Sequence, residues 1–226
     1  MNKHSKRFKE ALKLTDLDKY YTLKEAVGIL KKVPPAKFNE SVDVAFNLNI
    51  DPKKSDQMVR GTVILPHGVG KKVRIAVFCK GEAEKEARQA GADFFGSQEL
   101  IDKVLGGWMD FDVAVATPDI MKDVSRLGKV LGPRGLMPSP KTGTVTNNIA
   151  QAIKEIKAGK VEFKVDKQSG IHCSVGKISF DENKLYDNAS KFIDTVLAAK
   201  PASVKGKFVK SVSISTTMGI GIKIEA

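Results

Sequence analysis

Val73-Arg74-Ile75-Ala76-Val77-Phe78 is a nearly continuous apolar run of strand length. A strand of that composition is expected where helices cover both faces of a sheet. Working outward toward the C-terminus, Glu82–Ala90 reads as a helix closed by Gly91, and Asp93–Phe95 as a short strand. Ser97 then reads as the cap of a helix that runs to Leu105, before Gly106-Gly107. Asp112–Ala116 is another apolar strand. After it, Thr117 is expected to cap a helix with Pro118 at its first position and Gly128 just beyond its end. Asn148–Ala158 is the last helix of this section. Strands alternating with helices predict a parallel, Rossmann-like sheet.

On either side the pattern changes. Upstream, Val42, Val44, Phe46, Leu48 and Ile50 alternate with Asp43, Ala45, Asn47, Asn49 and Asp51, so one strand face is buried and the other wet. Asp51-Pro52 is expected to end that strand. Ahead of it, Lys6–Leu14 reads as a basic helix, and Thr22-Leu23-Lys24-Glu25 as a capping box opening a second one. That helix carries Leu23, Ala26, Val27 and Leu30 on one face and is expected to stop before Pro34-Pro35. Downstream, Val161, Phe163 and Val165 face one way, Asp166-Lys167-Gln168-Ser169-Gly170 turns, and Ile171, Cys173 and Val175 come back. A helix over about Asn183–Ala199 and final strands between Phe208 and Ile224 complete the chain. The fold class predicted is mixed α/β (α+β). Residues 1–67 and 160–226 form one discontinuous α+β domain, and residues 68–159 are a Rossmann-like domain inserted into it.

Charge points to a partner. The 226 residues hold 38 Lys and Arg against 26 Asp and Glu, a formal +12. The excess is uneven: the flanking segments carry 24 bases and 15 acids, the insert 14 and 11. Between Asp194 and Glu225 there is no acid, while Lys200, Lys205, Lys207, Lys210 and Lys223 fall in that stretch. Such a field attracts a polyanion. Aromatic residues make up only 7% of the chain, which suits a folded RNA gripped by backbone and shape better than a run of stacked, unpaired bases. A generic single-strand-binding module is disfavoured for the same reason. The basic start, Met1 to Arg7, is not followed by an apolar stretch, and no run of about 18 apolar residues exists, so neither a secretory signal nor a membrane span is expected. Cys79 and Cys173 lie far apart and give no disulfide framework, which predicts a reduced, cytoplasmic setting.

Enzyme signatures are missing. Gly68-Val69-Gly70-Lys71-Lys72 lacks the upstream glycine and the hydroxyl residue of a phosphate-binding loop. Gly219-Ile220-Gly221 stands too near the C-terminus for a helix to follow, so a nucleotide-dependent enzyme built on the Rossmann-like section is disfavoured. His4, His67 and His172 show no metal-ligand spacing with the cysteines. Asp110 and Asp112 read as a turn and a strand start rather than a catalytic pair. No catalytic residue, metal or cofactor is expected.

Two stretches look built for binding. Ser211, Ser213, Ser215 and Thr217 occupy alternate positions, so their hydroxyls should share one strand face, with Val212, Ile214 and Met218 on the other register. Small hydroxyls suit phosphates and ribose 2′-hydroxyls. Gly219 would let an RNA strand come close to the main chain. The second stretch, Leu131-Gly132-Pro133-Arg134-Gly135-Leu136-Met137-Pro138-Ser139-Pro140-Lys141, should be a stiff irregular connector with Arg134 and Lys141 exposed.

Ile120-Met121, Leu127-Gly128 and Leu131 to Pro138 together resemble the signature of the bacterial-type ribosomal protein L-one family. Lys37-Phe38-Asn39-Glu40-Ser41-Val42-Asp43, Arg60 to Gly68 and Thr216-Thr217-Met218-Gly219 are similar to its other blocks, collinear over essentially the whole chain. Ile220 departs from the proline or small residue of many relatives. The resemblance implies a large-subunit (50S) protein that binds 23S rRNA at the mobile stalk near the E site and helps release deacylated tRNA. It also implies a translational repressor that binds its own operon mRNA and is a monomer when free. By position it implies that Lys37, Phe38, Ser211, Ser213, Ser215, Thr217, Met218 and Gly219 line the rRNA contact. Without the resemblance, Phe38 reads as a core aromatic. Arg126, Arg134 and Lys141 become candidates for tRNA or rRNA backbone contact, and Gly68 and Gly159 the hinge of the insert.

Overall fold

Residues 5–33 and 36–225 are described by the computed structural model, and Pro34-Pro35 lie outside them. The chain opens with α1 (Lys6–Leu14), α2 (Leu23–Lys32), β1 (Ser41–Leu48) and β2 (Arg60–Ile64). It continues through β3 (Ile75–Phe78), α3 (Glu82–Gln89), β4 (Phe94–Gly96), α4 (Gln98–Leu105) and β5 (Val113–Ala116). Short helices α5 (Met121–Val124) and α6 (Gly128–Leu131) precede α7 (Ile149–Lys157). Then come β6 (Lys160–Lys164), β7 (Gly170–Lys177), α8 (Glu182–Ala198), β8 (Val209–Thr216) and β9 (Ile222–Ile224). Two units result: Met1–Gly70 with Val161–Ala226, and Lys71–Lys160.

In the first unit, the alternation in β1 buries Val42, Val44, Phe46 and Leu48 and leaves the residues between them at least partly exposed. Four strands assemble in the order β7-β1-β8-β9, antiparallel throughout. Helices cover the apolar face. α8 contributes Leu185, Asn188, Ala189, Phe192 and Val196, a helical stripe. α2 contributes Ala26, Val27 and Leu30, and it opens with the predicted capping box between Thr22 and Glu25. Phe192 stands edge-on to both Phe46 and Phe163, each 5.7 Å away centroid to centroid. Among the described residues the opposite face stays open, with Asn47 and His172 exposed and Ser211, Ser213 and Ser215 partly so.

β1 stops at Leu48, short of the expected Ile50. Asn49 turns aside, donating its backbone N–H to Phe208 and its side-chain amide to the Lys207 carbonyl. The chain turns at 166–170 as expected, and the strands on either side go to different sheets, β6 pairing with β2 and β7 with β1. Asp166 redirects the chain between them, its Oδ1 accepting from the N–H groups of Gln168 and Gly170, both at 2.7 Å.

The second unit shows why its strands are apolar throughout. Its three strands are parallel in the order β4-β3-β5. Ala76 and Phe78 of β3 and Ala114 and Ala116 of β5 feed one core, with α4 and the helical segment 118–131. Ile75, Val77 and Val115 feed another, with α3 and α7. Neither Ser97 nor Thr117 caps with its side chain. Gly128 does not end its helix: at φ −55° it continues it. The helix ends at Leu131, and the turn behind it closes at Gly135, φ +70°, where Gly135 N–H donates to Gly132 and Leu136 N–H reaches back to Leu131. That pair of bonds is a Schellman closure, sealed by Leu131 and Leu136 in one core.

Asp112, one residue before β5, accepts from Lys71 Nζ at 2.8 Å and Arg74 N–H at 3.1 Å. Those bonds, Lys71 first, hold its carboxyl at about 2, below the usual 3.8. Its stabilising contribution is therefore complete above the unfolded value and disappears as the pH falls from about 4 toward 2. The thermal midpoint of this unit should drop across that window. Asp112→Asn should flatten the drop, and an unchanged slope would contradict the assignment.

Candidate nucleic-acid interface

β8 ends at Thr216, so the hydroxyl row is shorter than alternation predicts. Ser211, Ser213 and Ser215 remain on the open face, opposite Asn47, Ala45 and Asp43 of β1. His172 on β7 and Lys223 on β9 join the Ala45–Ser213 row. Thr217 lies past the strand, and its hydroxyl is used inside the protein. Thr217 Oγ1 accepts from Ser41 N–H at 3.0 Å, and Thr217 N–H donates to the Ser41 carbonyl at 3.1 Å. Met218 does not follow the buried register either: it is 55% exposed, because a turn, not a strand, carries it.

The turn has a second support. Glu40, only 3% exposed, accepts Met218 N–H on Oε1 at 2.8 Å and Ala36 N–H on Oε2 at 3.4 Å. One carboxylate thus joins the 36–40 segment to the 216–219 turn, with Glu40 and Met218 178 residues apart in sequence. Lys37 is exposed, and Phe38 is 53% exposed rather than a core aromatic. Arg7 of α1 donates Nη2 to the Met218 carbonyl at 2.9 Å, and Lys177 donates to Ser41 Oγ at 2.7 Å. The product is a braced rim at one end of an open, hydroxyl-lined sheet. It presents a phenyl ring, a thioether and cations to solvent.

Residues 30–220 match the family described as Ribosomal protein L1p/L10e family. The chain belongs to that family. Among its relatives is the large ribosomal subunit protein uL1 of Protochlamydia amoebophila (strain UWE25), 56% identical over 225 residues, covering 100% of this chain and 95% of the relative. As a member of the L1p/L10e family the protein is a ribosomal protein, and its setting is the ribosome in the cytoplasm.

Reading the sequence of this L1p/L10e protein assigned no role to Glu40, Ser41, Arg7 or Lys177. Its Lys37–Asp43 block contains the first two, but Lys177, Thr217 and Met218, which they bond, lie 136 to 178 residues away. Among the insert cations, Arg126, Arg134 and Lys141 are all exposed. The loop that carries Arg134 and Lys141 is stiff: Ser139 N–H donates to Thr144 Oγ1 at 2.8 Å, and the Thr142 hydroxyl bonds the Ser139 carbonyl. Gly68 takes φ +64° in a turn held by Asn188, and Gly159 takes φ +104° after α7. Among the described residues no group of three or more His, Cys, Asp or Glu is placed to hold a metal ion.

Proposed function

We propose that the protein is a constituent of the large ribosomal subunit that binds 23S rRNA through the rim formed by residues 37–41 and 216–219. The open sheet face extends the contact. The observation that carries this reading is the Glu40 brace, which holds two distant segments together while Phe38 and Met218 stay in solvent. A phenyl face and a polarizable thioether can cover a base, while Lys37 and the serines meet phosphate and ribose. Thr217 supports the contact through Ser41 rather than by offering a free hydroxyl. The relative's name and the uneven charge both favour an RNA partner in the large subunit.

The reading extends further on the family resemblance. The rRNA target is the mobile stalk near the E site, where the protein assists release of deacylated tRNA. Exposed Arg126, Arg134 and Lys141 on the insert supply backbone contacts to tRNA or rRNA. The insert pivots at Gly68 and Gly159. The same rim binds the protein's own operon mRNA and represses translation, and the free protein is a monomer. None of these roles calls for an enzyme, a metal or a cofactor.

Thr217→Ala removes the hydroxyl that accepts Ser41 N–H at 3.0 Å and donates to the Ser41 carbonyl at 3.4 Å, and should weaken binding to a stalk RNA by about 1–3 kcal/mol. A filter-binding titration reads this directly, and unchanged affinity would count against the rim.

A further inference from the structure

Gly219 admits a simple explanation as the place where RNA approaches bare backbone. Its surroundings point elsewhere. A Cβ built on Gly219 would run into Thr216 Oγ1, with Thr216 Cβ a further 3.4 Å contact. Thr216 is 5% exposed, and its hydroxyl meets no hydrogen-bond partner among the described residues. A buried hydroxyl without a partner is costly, so its retention asks for a reason. Gly219 N–H donates to the Thr216 carbonyl at 3.1 Å, closing a four-residue turn over that side chain.

We infer that Thr216 is the positioning residue of the RNA-binding turn, filling the space beneath Gly219 and so setting the height at which Thr217 and Met218 are presented. Glycine is required at 219 by the protein's own packing, not by the passage of RNA. The inference rests on the proposed rim and sharpens it. The wall that excludes a Cβ is internal, so it can be removed from inside.

Three variants of the full chain test it: Gly219→Ala, Gly219→Ala with Thr216→Ala, and Gly219→Ala with Thr216→Val. Each is titrated with a stalk RNA fragment. The Met218 methyl resonance of the free protein is recorded beside each titration, and thermal unfolding verifies the fold. Gly219→Ala should weaken binding about tenfold or more, as overpacking does, and should move the methyl resonance. Thr216→Ala opens the space and should return most of the affinity and the resonance. Thr216→Val fills the same volume and should return neither. A Thr216→Ala double variant as weak as Gly219→Ala would overturn the inference, since the RNA itself would then occupy the space. So would a methyl resonance that Gly219→Ala leaves in place. If Gly219→Ala moves the resonance yet binds RNA like the wild type, the rim is not at the RNA. The proposed interface then falls, and the inference with it.

Discussion

Glu40→Ala is expected to lower RNA affinity at least tenfold and to destabilise the protein by about 2–4 kcal/mol. The carboxylate is buried and accepts two backbone N–H groups, Met218 at 2.8 Å and Ala36 at 3.4 Å. Bonds to a charged acceptor contribute more than neutral ones, and their loss leaves the donors without partners. Both effects share one cause. Without the brace, the 36–40 segment and the 216–219 turn keep their own local structure but lose their common position. Glu40→Gln should fall between, because its amide carbonyl can accept one N–H while its NH2 group faces the other. Equal RNA binding by wild type and Glu40→Ala in a titration would remove the brace from the account.

The largest effect on stability alone is expected at Asn188. It is fully buried in α8, and its amide is used completely. Oδ1 accepts His67 N–H at 3.1 Å, and Nδ2 donates to the carbonyls of Gly68 at 2.9 Å and Val175 at 2.7 Å. Asn188→Ala leaves three backbone groups unpaired and should cost about 2–4 kcal/mol, read as a shift of the denaturant midpoint at constant slope. Asn188→Asp keeps the shape but has no donors when ionised, so it should fare no better. A near-normal midpoint for the aspartate variant would mean that volume, not hydrogen bonding, is what the site requires.

Features governed by near neighbours were legible before the structure. The Thr22–Glu25 capping box needs partners three residues apart, and the alternation in β1 needs only a wet face and a dry one. The shift from alternating to continuous apolar strands identified a sheet covered on both faces. Failures came where a local rule was carried across a turn. Met218 was placed in the buried register because alternation was extended past Thr216, where β8 has already ended. The helix at 118–131 was closed too early, at Gly128, because a glycine stops a helix only where φ turns positive. Gly135 followed by apolar Leu136 was the better stop signal. Glu40, Asn188 and Thr216 were silent for a different reason. The key partners of Glu40 and Asn188 are remote in sequence, and Thr216 is buried by the turn that closes over it, so nothing beside these residues in the chain announces them.

The rim's place on RNA can be measured most directly by cleavage from a fixed point beside it. Gly221 is exposed, and a Cβ there meets no atom within 4 Å, so Gly221→Cys should leave the turn undisturbed. Burial keeps the native thiols unreactive, Cys79 pushed up to about 11 and Cys173 to about 12. A hydroxyl-radical generator tethered through Gly221→Cys and bound to whole large-subunit rRNA should cut one compact segment of the stalk. Scission no different from that of the untethered reagent, or scattered along the rRNA, would contradict an RNA contact at the end of this sheet.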